Sequence, residues 1–189
     1  MKKLNIDPKK LRRTLTPTDN PFLSLARSII SQQISTKAAQ SINARFMKLF
    51  GRKTPTPKLV LELTDADLLG AGLSGSKVMY IRDLANKFLD TTIDPKKFNQ
   101  MSDEEIKNHL VKVKGIGPWT ADMFLIFALN RPNILPVGDL AIRKGFQKAF
   151  NLRGVPSEKK MRELAKPHMG SHTNLSLYLW QILDEKINT

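Results

Sequence analysis

The sequence predicts an all-α protein, and three observations carry that expectation. Apolar residues recur at three- and four-residue intervals along most of the chain. Alternating apolar–polar runs of the kind strands need are nearly absent. Proline, glycine and small polar residues fall where helices start and stop. In chain order, Pro21 after Asn20 opens a helix carrying Phe22, Leu25, Ala26, Ile29 and Ile30 on one face. Thr36 to Phe50 carries Ala39, Ile42, Phe46 and Leu49 and stops at Gly51. The prolines of Gly51–Pro57 predict a loop. Helices are then predicted over Asp65–Leu73, Ser76–Phe88, Ser102–Val111 and Pro118–Leu129. Ser102 followed three residues on by Glu105 is a capping-box pattern. A loop over Asn130–Gly138 precedes helices Leu140–Phe150, Ser157–Lys166 and Asn174–Ile187, about nine in all.

The 189 residues are enough to bury a core without covalent staples, as one domain or as two lobes. With no cysteine there can be no disulfide, thiolate zinc site, iron–sulfur cluster or cysteine nucleophile, and the chain suits a reducing compartment. The formal net charge of +14 points to a polyanionic partner, nucleic acid before an acidic membrane surface. The longest apolar run, Met123–Leu129, is far short of a membrane span. Asn5 and Asp7 interrupt any apolar stretch behind Lys2 and Lys3, so no signal peptide is expected.

The segment Leu110-Val-Lys-Val-Lys-Gly-Ile-Gly-Pro-Trp-Thr-Ala121 is the most informative. Gly115 and Gly117 flank Ile116 between two amphipathic helices, where glycine permits positive φ and leaves backbone N–H groups uncovered. Amides at the start of the helix opened by Pro118 form an anion site, and Lys112 and Lys114 add charge on the approach. Such a hairpin holds a DNA phosphate without reading sequence. The alternative is an ordinary helix–turn–helix corner, for which Val113 and Ile116 supply the packing.

This segment resembles the helix-hairpin-helix of the HhH-GPD DNA glycosylase superfamily, with its Gly/Pro-rich loop and catalytic aspartate. Leu135-Pro-Val-Gly-Asp-Leu-Ala-Ile-Arg143 is similar to the second half of that signature and places Asp139 a short loop beyond the hairpin. Ile29-Ile-Ser-Gln-Gln-Ile-Ser-Thr-Lys-Ala-Ala39 and Leu73-Ser-Gly-Ser-Lys-Val-Met-Tyr-Ile-Arg-Asp-Leu-Ala85 are similar to the alkylpurine branch, that of DNA-3-methyladenine glycosylase II. Trp180 extends the likeness to the last helix. The resemblance implies a two-lobed helical fold with a cleft between the lobes. One lobe would span about 31–130 and contain the helix-hairpin-helix at 102–129; the other would combine 1–30 with 131–189. On its 189 residues, the N-terminal β-rich lobe of longer relatives is not expected.

The resemblance further implies a monofunctional enzyme of base excision repair. Branches that cleave the DNA backbone carry a lysine before the hairpin's Thr-Ala pair, where this chain has Trp119, and an indole cannot form the Schiff base. Trp119 and Trp180 match positions that line the base pocket, and an electron-rich ring attracts a cationic alkylpurine. Met123 stands where the family often has a second pocket aromatic, a softer and less selective surface. Helical spacing alone explains Phe124, Phe127 and Tyr178.

Asp139 precedes a predicted helix, where Asp is a favoured N-cap. The family role is compatible: a carboxylate there stabilises the oxocarbenium-like sugar and orients the attacking water. Asp122 is read as structural. Duplex DNA shields the bond, so the nucleotide must leave the stack, and the resemblance places Gln33 as the wedge filling the gap, against a reading as a solvent-facing helix end. Ser74 and Lys77 at a helix start are candidates for a second phosphate, and Arg143 and Lys144, one turn from Asp139, for flanking phosphates. His168 and His172 lack a third ligand, so no metal site is expected. No cofactor is implied, with a monovalent cation at the hairpin the single ion to consider. The expected partner is double-stranded DNA bearing damaged bases, met by a monomer in the cytoplasm with the nucleoid or in a nucleus. The alternatives are a hairpin module that binds DNA without catalysis and a glycosylase for deaminated or oxidised bases.

Overall fold

The structure, a computed structural model, describes residues 3–11 and 15–184. Ten α-helices and no strands occur among them. They are α1 Pro21–Ser31, α2 Thr36–Lys48, α3 Pro57–Glu62, α4 Asp65–Gly70, α5 Gly75–Leu89, α6 Asp103–Leu110, α7 Pro118–Phe127, α8 Leu140–Ala149, α9 Glu158–Ala165 and α10 His172–Asp184. Side-chain caps open most of them, as at Asn20, Ser35, Ser74, Ser102 and Ser157. The predicted loop at 51–57 yields at its end to α3: Thr56 accepts from the Leu59 amide while Pro57 takes the first helical position. α10 begins two residues before its predicted start, and its predicted residues 185–187, like Lys2, lie outside the described ones.

The chain divides into two units. Thr18–Phe124 holds α1 to α6 and the first part of α7. The described residues up to Pro17 and those from Leu125 onward form the other. The sequence-based boundaries at 30 and 130 are therefore corrected to 17 and 124. The reason is the apolar stripe of α1, which packs against α2 and α5, with Phe22 edge-on to Phe88 at 5.3 Å.

In the second unit, α8 and α10 pack over a core of Ile142, Phe146, Met161, Leu175 and Leu179. Gly145 permits that crossing, since a Cβ there would lie 2.7 Å from the Leu179 carbonyl oxygen. Leu4 and Ile6 pack against the same core, and the Leu4 amide donates to His168 Nε2 at 3.1 Å.

Candidate nucleic-acid and base-excision site

In the 18–124 unit the hairpin is built from both ends inward. Ser102 and Glu105 cap each other's backbone amides, so α6 starts where the sequence predicts; the Ser102 hydroxyl bond holds the Glu105 carboxyl below its usual range. Lys107 Nζ donates to Asp122 Oδ1 at 2.8 Å, an inward ion pair joining α6 to α7 and giving Asp122 its structural role. Between the helices, Val113 and Ile116 are buried. Gly115 alone of the hairpin glycines takes positive φ, +81°. It also lies under the Tyr80 ring, which a Cβ would meet at 2.2 Å. The Lys114 amide donates to Asp83 Oδ2 at 2.8 Å, so two residues of α5 seat the turn. Lys112, Lys114, Gly115 and Gly117 are exposed. Ile116 is corrected from the expected DNA contacts: its side chain is buried and its amide donates to Val113 O.

Beside the hairpin lies a cavity of ≈ 840 Å³. α7 contributes Trp119, Thr120 and Met123; α1 contributes Ser24, Arg27, Ser28 and Ser31; the turn after α1 adds Gln32 and Gln33. Trp119 and Met123 are four residues apart and so share one face of α7. Trp119 is 49% exposed, an indole left uncovered in a concave surface where a flat ligand would cover it. Gln32 turns inward and donates to Gly115 O at 2.9 Å and to Thr120 Oγ1 at 3.3 Å. Gln33 is exposed and holds φ +56°. Ser74 caps α5 and is exposed. The Lys77 ammonium, expected toward a phosphate, instead donates to two backbone carbonyls, Ile30 O at 2.7 Å and Gln32 O at 2.9 Å. Burial also draws the Lys77 pKa down.

In the other unit, Asp139 is the N-cap of α8, its Oδ1 accepting from the Ile142 amide at 2.9 Å. The same oxygen lies 3.4 Å from Trp180 Nε1 on α10. Trp180 stacks on Phe127, centroids 5.8 Å apart and planes 27° apart. Within this unit Trp180 thus stands as a partner of the carboxylate, with Phe127 against its ring. Arg143 is half-buried and gives Nε to Pro156 O at 3.4 Å, while Lys144 is exposed. His172 Nε2 sits 3.1 Å from Ala165 O, and His168 is buried beneath the N-terminal segment. Burial first, then the charge of Lys3 and His172, keeps the His168 pKa below its ordinary value. No group of three or more potential metal ligands occurs among the described residues, and no described helix is long and apolar enough to cross a membrane.

Sequence reasoning missed Gln32, the α1 hydroxyls, Tyr80, Asp83 and Phe127. Ser24, Ser28 and Ser31 had a visible signal, recurring at helical spacing opposite the apolar stripe. The others act through partners far along the chain and carry no local signature.

The chain is similar to known proteins over most of its length. Residues 26–168 match the family described as HhH-GPD superfamily base excision DNA repair protein. A DNA-3-methyladenine glycosylase of Saccharomyces cerevisiae is 38% identical over 187 residues, covering 94% of this chain and 63% of its own, so this chain spans a little under two thirds of that relative. The crystal structure of a Bacillus halodurans DNA-3-methyladenine glycosidase superposes with a TM-score of 0.84 at 32% identity, covering 89% of this chain and 78% of that one. A Schizosaccharomyces pombe 3-methyladenine DNA glycosylase in complex with abasic DNA gives 0.77 at 29% identity, covering 92% and 88%.

Proposed function

The chain belongs to the HhH-GPD superfamily of base excision DNA repair proteins, and we propose that it excises alkylated purines from duplex DNA by hydrolysis. The observation that carries this reading is Asp139, a carboxylate at a helix N-terminus with Oδ1 held by an amide and directed at by an indole N–H. Loss of an N-glycosidic bond leaves positive charge on the deoxyribose, and a fixed anion stabilises it without reorganising. The bond's electron pair leaves with the purine, and a water oxygen bonds to C1′. Asp139 orients that water and takes its proton.

An alkylated purine is already cationic and departs without strong acid assistance, so one carboxylate suffices and neither metal nor cofactor enters the reaction. The exposed Trp119 ring attracts the cationic base, with Met123 as a softer wall beside it. Trp119 also takes the position of the lysine used by backbone-cleaving relatives, which leaves hydrolysis without a lyase step. Lys114, Gly115 and Gly117 grip the phosphate backbone; Ser74, Arg143 and Lys144 add contacts, and Gln33 enters the gap left by the flipped nucleotide. The hairpin carbonyls could also take a monovalent cation, which would share Gly115 O with Gln32.

The test is a panel of duplexes carrying N3-methyladenine, N7-methylguanine, ethenoadenine, hypoxanthine and 8-oxoguanine. Release of free methylated purine with intact abasic strands is expected, with no covalent adduct after borohydride. Binding without release of any base would leave a DNA-binding hairpin module, and a trapped adduct would overturn the hydrolytic reading.

A further inference from the structure

The last carbonyls of a helix have no partner within it and sit at the negative end of its dipole. At the end of α1 two of the carbonyls, Ile30 O and Gln32 O, receive the same cation, Lys77 Nζ, from 45 and more residues away. Lys77 is itself set by the start of α5, where the Ser74 hydroxyl accepts its amide. From the other side, the Gln32 side chain crosses to Gly115 O and Thr120 Oγ1 of the hairpin. Three residues on, Ser35 accepts the Ala38 amide and starts α2.

Between these anchors stands Gln33, exposed, in the left-handed region at φ +56°. A residue with a side chain pays to stay there and leaves unless its surroundings hold it. An exposed glutamine on a free turn would sample many directions. Fixed in this turn, its Cα–Cβ bond keeps one direction.

We propose that Lys77 is a positioning residue: by binding the carbonyls of Ile30 and Gln32 it locks the turn that holds Gln33, while the Gln32 side chain registers that turn on the phosphate-gripping hairpin. The inference rests on the reading of Gln33 as the residue that fills the flipped-out nucleotide's place. It adds a division of labour within the pair, Gln32 inward to the hairpin and Gln33 outward to the duplex. It also converts a lysine that looks like a phosphate ligand into one that acts through the backbone of another loop.

Extruding a paired base is costly, and extruding an unpaired one much less so. Loss of Lys77 should therefore matter in proportion to the work of opening the duplex. Single-turnover excision is measured on N7-methylguanine opposite cytosine and on the same base opposite an abasic-site analogue. Lys77→Met is expected to slow the paired substrate about tenfold and the unpaired one less than about twofold. Lys77→Arg, which keeps cationic donors, recovers most of the loss. In a Gln33→Gly background, which tolerates the same φ without the side chain, Lys77→Met has no further effect.

Equal slowing of both substrates, or losses that multiply in the double variant, would overturn the proposal and make Lys77 a general fold element. If Lys77→Met loses its helical circular dichroism, Lys77→Gln, which removes the charge and shortens the side chain, is read in the same way. If the protein excises no base, the proposed function fails, and the turn is then judged by 2-aminopurine fluorescence at the target. A smaller rise on binding in Lys77→Met than in the parent protein supports the lock, and an equal rise removes it.

Discussion

The two units hold their candidate site groups by different means. Asp139 has a cap within its own helix start: its carboxylate accepts from an amide three residues on, and Trp180 on α10 is a remote donor to the same oxygen. In the 18–124 unit the hairpin and the turn after α1 depend on partners far along the chain. Gln32 reaches the hairpin, Lys77 reaches the end of α1, and Asp83 accepts from Lys114. A local cap tolerates change in its surroundings, because the backbone that supplies the donor also carries the acid. A lattice of long-range bonds fails at whichever member is removed.

The comparison breaks most visibly at Asp139. Asp139→Asn keeps an oxygen for the Ile142 amide and removes the charge, so the fold should survive while excision falls by about a thousandfold or more. Single-turnover rates and duplex affinity measured together check this; parallel loss of both would make Asp139 a cap and nothing else. Gly115→Ala tests the opposite unit. Positive φ and the Tyr80 ring together should cost about 1–3 kcal/mol in urea denaturation, with weaker duplex binding. Adding Tyr80→Ala should relieve the steric part and leave the backbone part, about 1 kcal/mol.

Trp180→Phe keeps a ring against Phe127 and deletes the N–H near Asp139. Because that contact is long, the rate should fall only about three- to tenfold, with stability little changed. A loss as large as that of Asp139→Asn would show that the carboxylate depends on its remote partner after all. The smallest effect expected is at His168. Burial lowers its pKa in the folded state, so its neutral ring contributes stability that is present above the unfolded value of about 6.5 and lost as pH falls through the lower folded value. Melting temperature should drop faster below that pH in the parent protein than in His168→Gln; parallel curves would discount the Leu4–His168 contact as a pH-dependent one.

Legibility followed the same divide. Ser102 with Glu105, Asn20 with Pro21, and Asp139 ahead of its helix were readable because each pairs groups within three residues. Thr56-Pro57 offered the same kind of signal and was hidden because Pro55 and Pro57 together read as loop. The site was harder. Trp119, Met123 and Gln33 line one cavity, yet nothing in the spacing distinguished Gln32, which turns inward, from Gln33, which does not. Lys77 read as a phosphate ligand because a lysine beside a helix start is usually solvated, and Phe127 read as core because its period was helical.

The chain by itself determined the helical class, most helix boundaries, the absence of cysteine chemistry, the cationic surplus and the Asp139 cap, since each follows from residue type and near-neighbour spacing. Tertiary structure alone decided where the units divide, which glutamine meets the hairpin, that Ile116 is buried, and that Lys77 spends its charge on two carbonyls. The reason is physical: caps and helical faces are satisfied within a turn of the chain, whereas a long side chain takes whichever acceptor the fold brings within about 3 Å.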